Sequence, residues 1–206
     1  MVGGNLSLEG GGLTATEGRI ELGSVAGDSF VSLNQPDYAL GYTGVQNFGD
    51  ITIQNASFIS SAAIQVRGKD IILTGSQIFA QTQPSTPGKD LVINASDSLN
   101  LSAGALIANF ALGEAQGGNA IAQASSMNLT GVNTQIATSA SEQGEAGDVM
   151  VMETSEVKLS EGALIRTSVQ DTAQAGNVTV QADSIELIGT FLGDRGTQPS
   201  AFSTEA

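Results

Sequence analysis

The side chains best suited to chemistry are five carboxylates, Asp90, Asp148, Asp171, Asp183 and Glu186. Asp90, Asn119, Asp148 and Asn177 follow one another at intervals of 29 (119 − 90, 148 − 119, 177 − 148). If equivalent positions stack as neighbouring strands do, roughly 4.8 Å apart, the carboxylates of Asp90 and Asp148 lie roughly 9 to 10 Å from each other. That separation is in range for an inverting glycoside hydrolase, in which one carboxyl protonates the leaving oxygen and the other activates water. Acidic residues in a repeating chain also raise the question of calcium, a hard cation held by oxygen ligands.

Neither chemistry finds its companions. The chain has no His, and its seven Lys and Arg are scattered rather than gathered beside the acids, whereas such sites need clustered carboxylates with a partner base or cation. The Gly-Gly-x-Gly-x-Asp nonapeptide of calcium-binding β-rolls is missing, and Gly117-Gly118-Asn119-Ala120 does not continue it. A corner role explains Asp90, Asn119 and Asp148 together, because Gly with Asn or Asp tolerates positive φ at a sharp bend. Stacked Asx side chains also offer hydrogen bonds along the stack. No catalytic, cofactor-binding or metal-ligating residue is therefore assigned, and a non-enzymatic protein without cofactor is expected. Tyr38 and Tyr42 are suited to stacking on sugar rings, or else to folding back on the body of the protein.

The 29-residue interval belongs to a whole repeating unit. Gly147-Asp148-Val149-Met150-Val151 returns as Gly176-Asn177-Val178-Thr179-Val180, and Ser102-Ala103-Gly104-Ala105-Leu106-Ile107 returns two periods later as Ser160-Glu161-Gly162-Ala163-Leu164-Ile165. Within each unit short stretches alternate apolar and polar residues: Leu91/Ile93, Val149/Val151 and Val178/Val180, then Leu99/Leu101, Met127/Leu129, Val157/Leu159 and Ile185/Leu187. Alternation marks half-buried strands. A strand of three to five residues cannot bury its face alone, so successive units must stack, Val149 near Val178 and Leu159 near Leu187.

The expected fold is all-β: a right-handed parallel β-helix with coils of about 29 residues and three short strands per coil. A barrel or propeller fits less well, since blades are longer and carry aromatic signatures. Residues 1–206 form a single β-helix segment, expected to be a fragment of a longer protein. Residues 34–48, with both tyrosines, read as a loop or side insertion, and 193–206 as a weakly structured tail. In the unit from Asn119, Ala120-Ile121-Ala122-Gln123 either turns small alanines inward or slips by one residue to bury Ile121.

Composition bounds the partners. Twenty-one acidic against seven basic residues give a net charge of −14, which opposes nucleic acid and anionic lipid. No apolar run is long enough to span a membrane, and residues 1–5 lack the features of a signal peptide. Aromatics are 4%, with no Trp and no Cys, which suits aliphatic ladders in a narrow tube.

The stretch Gly4-Asn5-Leu6-Ser7-Leu8-Glu9-Gly10-Gly11-Gly12-Leu13-Thr14-Ala15, followed by Gly18-Arg19-Ile20-Glu21-Leu22-Gly23, resembles the segment after the secretion domain of filamentous-haemagglutinin-like exoproteins, the large cyanobacterial ones in particular. The later Gly-Asn-Val-x-Val units are similar to their repeats. The resemblance covers essentially the whole chain and implies a right-handed parallel β-helix, two-partner secretion through an outer-membrane transporter barrel, and an adhesive or structural role at the cell surface. A carbohydrate or other cell-surface ligand is the partner it implies. The rival expectations are a carbohydrate-active β-helix enzyme, which would gather carboxylates in a groove, and a calcium-dependent binding module, whose stability would follow the metal.

Overall fold

The computed structural model describes residues 1–35, 38–193 and 196–205. Pro36 and Asp37 of the expected side insertion, and Asp194, Arg195 and Ala206 of the expected tail, lie outside the described residues. Among the described residues there is no helix, and 17 strands join one sheet whose pairings are parallel. The architecture is all-β and solenoid-like, each strand lying beside the strand that occupies the same place in the previous unit.

Three sets of pairings run through it. One joins Leu6–Glu9, Ile51–Gln54, Ile71–Thr74, Ser98–Ser102 and Ser126–Thr130, then the later halves of Val149–Ser160 and Val178–Ile188. A second joins the start of Gly12–Ser24 to the start of Phe58–Gly68, then Gln77–Thr82, Leu106–Ala111, Gln135–Ala140, Leu164–Val169 and Ala201–Glu205. The third runs from Val2–Gly3 through the later halves of Gly12–Ser24 and Phe58–Gly68 to Leu91–Ala95, Ala120–Gln123 and the starts of Val149–Ser160 and Val178–Ile188.

Alternation decides what each strand buries. Ile59, Ile78, Ile107, Ile136 and Ile165 form one inward column of the second set, and Leu73, Leu101, Leu129 and Leu159 one of the first, all at most 1% exposed. Each such side chain contributes about 1.5–3 kcal/mol through burial. Val149 pairs with Val178 and Leu159 with Leu187. At Asn119 the register does not slip: Ala120 and Ala122 are fully buried and Ile121 is half-buried on the outer side.

The step between paired residues is 29 from Leu91 to Ala120, Val149 and Val178. Between Ile51 and Ile71 it is only 20 (71 − 51). There the strand Phe58–Gly68 runs unbroken through a bend at which later units carry a corner loop.

Both segments read as irregular in the sequence contain strands. Ser32–Asn34 pairs antiparallel with Ala39–Gly41, a hairpin set into the stretch between Ser24 and Gly49. The expectation of a weakly structured tail over 193–206 is corrected in its described part: Thr190–Gly193 pairs antiparallel with Gly196–Pro199, and Ala201–Glu205 extends the second set of parallel pairings. Its alternation was hidden because the hairpin lengthens the step from Leu164 to Ala201 to 37 (201 − 164).

Candidate functional site

The Asx series lies on one edge of the solenoid, where each member receives the next unit's backbone. Asn119 N–H donates to Asp90 Oδ1 at 2.9 Å, Asp148 N–H to Asn119 Oδ1 at 2.9 Å, and Asn177 N–H to Asp148 Oδ1 at 2.7 Å. Asn177 Nδ2 adds a second donor to the same Asp148 oxygen at 3.1 Å. Asp90 and Asp148 are thus acceptors in a backbone clasp, with an amide between them.

The conformational reason expected for the preceding glycines does not hold. Gly88, Gly118, Gly147 and Gly176 are absent from the left-handed residues. What they require is room: a Cβ at Gly118 would collide with the Lys89 carbonyl, one at Gly147 with that of Gly118, and one at Gly176 with that of Gly147. Left-handed conformations fall at other bends, including Ala103-Gly104 and Glu161-Gly162.

The remaining acids are dispersed. Asp171 is exposed at a loop tip with φ 60°, in the position held by Gly113 and Glu142 in the two preceding loops. Asp183 is exposed on the last long strand, and Glu186 pairs with Lys158 at 2.8 Å across adjacent strands. No group of three or more metal-ligating side chains gathers among the described residues.

Several polar positions that hold the frame together escape a reading based on apolar alternation. Ser57, Ser76, Thr134 and Ser200 occupy the bend before the second strand and are buried. Thr134 Oγ1 donates to the Thr130 carbonyl at 2.9 Å and accepts from Gly104 N–H at 3.0 Å. Ser200 does the same with Ile188 and Gly162 at 3.1 and 3.0 Å, so the hairpin between Ile188 and Ser200 is an insertion in a bend that is otherwise kept. Inside, Asn109, Thr138 and Thr167 share a column: the amide of Asn109 donates to the Lys89 and Asn119 carbonyls, Thr138 to Gly147, and Thr167 to Gly176. Their 29-residue spacing was the signal available.

The corner loops form a second stack. Ala111, Ala115 and Ala140 make a small core with Ala146, Val169 and Ala173 packed against it, and Gln116, Glu145 and Gln174 form parallel bridges outside. Small side chains are what let these loops lie one upon another.

Of the two tyrosines, Tyr42 folds back. Its ring stands 5.7 Å from that of Phe48, and the Arg67 guanidinium lies over both, 5.4 and 4.7 Å from their centroids. Burial, reinforced by the nearby Glu21 charge, pushes the Tyr42 hydroxyl up to about 12. Glu21 accepts a hydrogen bond from Leu40 N–H at 2.5 Å and pairs with Arg19, fastening the hairpin to the sheet. Tyr38 stays exposed, with φ 54°.

No helix is long and apolar enough to cross a membrane among the described residues. No family model, curated protein or solved structure matches the chain.

Proposed function

We propose that the chain is a structural and adhesive segment of a secreted, surface-associated protein of the filamentous-haemagglutinin-like kind, built as a right-handed parallel β-helix of three short strands per coil and about 29 residues per coil. In this reading it catalyses nothing: it is a rigid stalk that provides reach and displays its outer faces and corner loops. A longer parent passes through an outer-membrane transporter barrel by two-partner secretion, and the ligand is a carbohydrate or other cell-surface molecule.

The observation that carries the reading is the use of Asp90, Asn119 and Asp148 as backbone acceptors in successive units. It gives the most regular acidic series a mechanical task. The dispersal of Asp171, Asp183 and Glu186 supports the same view. A net charge of −14 keeps an elongated solenoid soluble and discourages lateral association.

The test is proteolysis of intact producing cells, with antibody against residues 1–206, in the parent strain and in one lacking its outer-membrane transporter barrel. Antigen lost to external protease in the parent, and retained inside cells without the transporter, is the expected result. Antigen protected in both strains would refute export.

A further inference from the structure

Three phenylalanines, Phe58, Phe79 and Phe110, lie on the outward side of the second set of strands. Phe58 stands opposite Gln77, Phe79 opposite Ala108, and Phe110 opposite Gln81. Each ring is therefore one strand further along the stack and two residues further across it, so the three form a diagonal over three neighbouring strands. Solvent-facing aromatics in line are unexpected in a chain with only 4% aromatic residues.

The rings are seated on the sheet. A Cβ at Gly12 would strike the Phe58 ring, so that ring lies where a side chain is missing. Phe79 and Phe110 have centroids 6.2 Å apart and are tilted by 58°. Phe58 is 42% exposed. Between Phe58 and Phe79 opens a shallow cavity of about 310 Å³, lined also by Ala56, Ser57, Gly75 and Gln77, close to the lower size of small-molecule sites.

The surroundings narrow the ligand. The outward neighbours Ser60, Gln77 and Gln81 are uncharged, while the whole chain carries −14. Ring faces edged by amides match a molecule with apolar C–H faces and hydroxyl edges, which is the chemistry of a pyranose. An acidic polymer would meet the repulsion of the whole chain, and Arg166, the cation further along this set of strands, is already engaged by Gln135 and Glu205.

We propose that this face binds a neutral oligosaccharide, its sugar rings lying on Phe58 and Phe79 and its hydroxyls bonded to Gln77 and Gln81. The proposal rests on the adhesive reading and gives that reading a binding surface.

The test titrates the full chain calorimetrically with cellohexaose and laminarihexaose as neutral probes and with oligogalacturonate as the anionic one. Saturable binding of at least one neutral probe is expected, with none of the anion. Phe58→Ala, Phe79→Ala and Gln77→Glu should each weaken it at least about tenfold, and Phe58→Tyr should retain it. Circular dichroism verifies folding, and Gln77→Glu leaves all three rings in place. The proposal is overturned if neither neutral probe binds up to about 10 mM, if the anion binds better, or if the ring and amide variants bind as wild type. Surface exposure in the protease experiment without sugar binding would reject the platform and leave the adhesive reading standing; sugar binding by a protein that never leaves the cell would do the reverse.

Discussion

Replacing Asn119 by Asp tests why acids and amides alternate along the solenoid edge. Asn119 lies between Asp90 and Asp148 and accepts the Asp148 N–H at 2.9 Å. Asn119→Asp keeps the acceptor but places a third negative charge roughly 4.8 Å from each neighbour, the spacing of adjacent strands. Coulomb repulsion at that distance in water is about 0.9 kcal/mol per pair, so about 1.7 kcal/mol for two. Screening cuts the sum to about 1 kcal/mol at physiological salt and to about 0.3 kcal/mol at 1 M. Urea unfolding at pH 7 should show the variant less stable than wild type by about 1–1.5 kcal/mol in dilute buffer, with most of the deficit gone at 1 M salt. Asn119→Ala, which removes the acceptor, should instead lose about 0.5–1.5 kcal/mol at either salt concentration. A deficit of equal size in dilute and concentrated salt, or no deficit at all, would refute the electrostatic account of the alternation.

Ile107→Ala, in the middle of a fully buried column, should lower unfolding free energy by about 2–5 kcal/mol in urea titrations, whereas Ile72→Ala, at a position 38% exposed, should stay within about 1 kcal/mol of wild type. Gly118→Ala forces a Cβ into the Lys89 carbonyl and should destabilise by about 1–3 kcal/mol or prevent folding, read by thermal melting. The hydrogen bond from Ser98 at 2.6 Å, opposed by partial burial and helped by Lys69, holds the Asp70 carboxyl below its usual value. That contribution to stability is present above the unfolded-state value and lost as pH falls through the folded one, so Ser98→Ala should raise the Asp70 midpoint in an NMR titration and weaken the protein at neutral pH but not at strongly acid pH.

Much of the frame was legible because solenoid stacking repeats the same demand at a fixed interval. Val149 over Val178 and Leu159 over Leu187 follow from alternation plus period. The ambiguity at Ala120 to Gln123 needed neighbours to resolve, since the paired strands Leu91–Ala95 and Val149–Ser160 hold the register and bury small alanines. Glycine at the Asx edge was read for its backbone freedom when close approach of neighbouring carbonyls was the reason, a distinction that depends on the adjacent unit and not on the local sequence. The strand Ala201–Glu205 was missed because an inserted hairpin displaced it from the period, although Ser200 keeps the hydroxyl of the bend. The aromatic diagonal was beyond reach for a similar reason: Phe58, Phe79 and Phe110 are 21 and 31 residues apart (79 − 58, 110 − 79), so no single interval links them until the strands are paired.

The most direct measurement of the proposed adhesive role is attachment by producing cells after in-frame removal of the codons for residues 1–206, with export of the rest of the proposed longer parent verified by antibody to another part of it. Attachment to a polysaccharide-coated surface should fall sharply while export continues, and return when the segment is restored. Unchanged attachment by cells that still export the shortened protein would contradict the adhesive role.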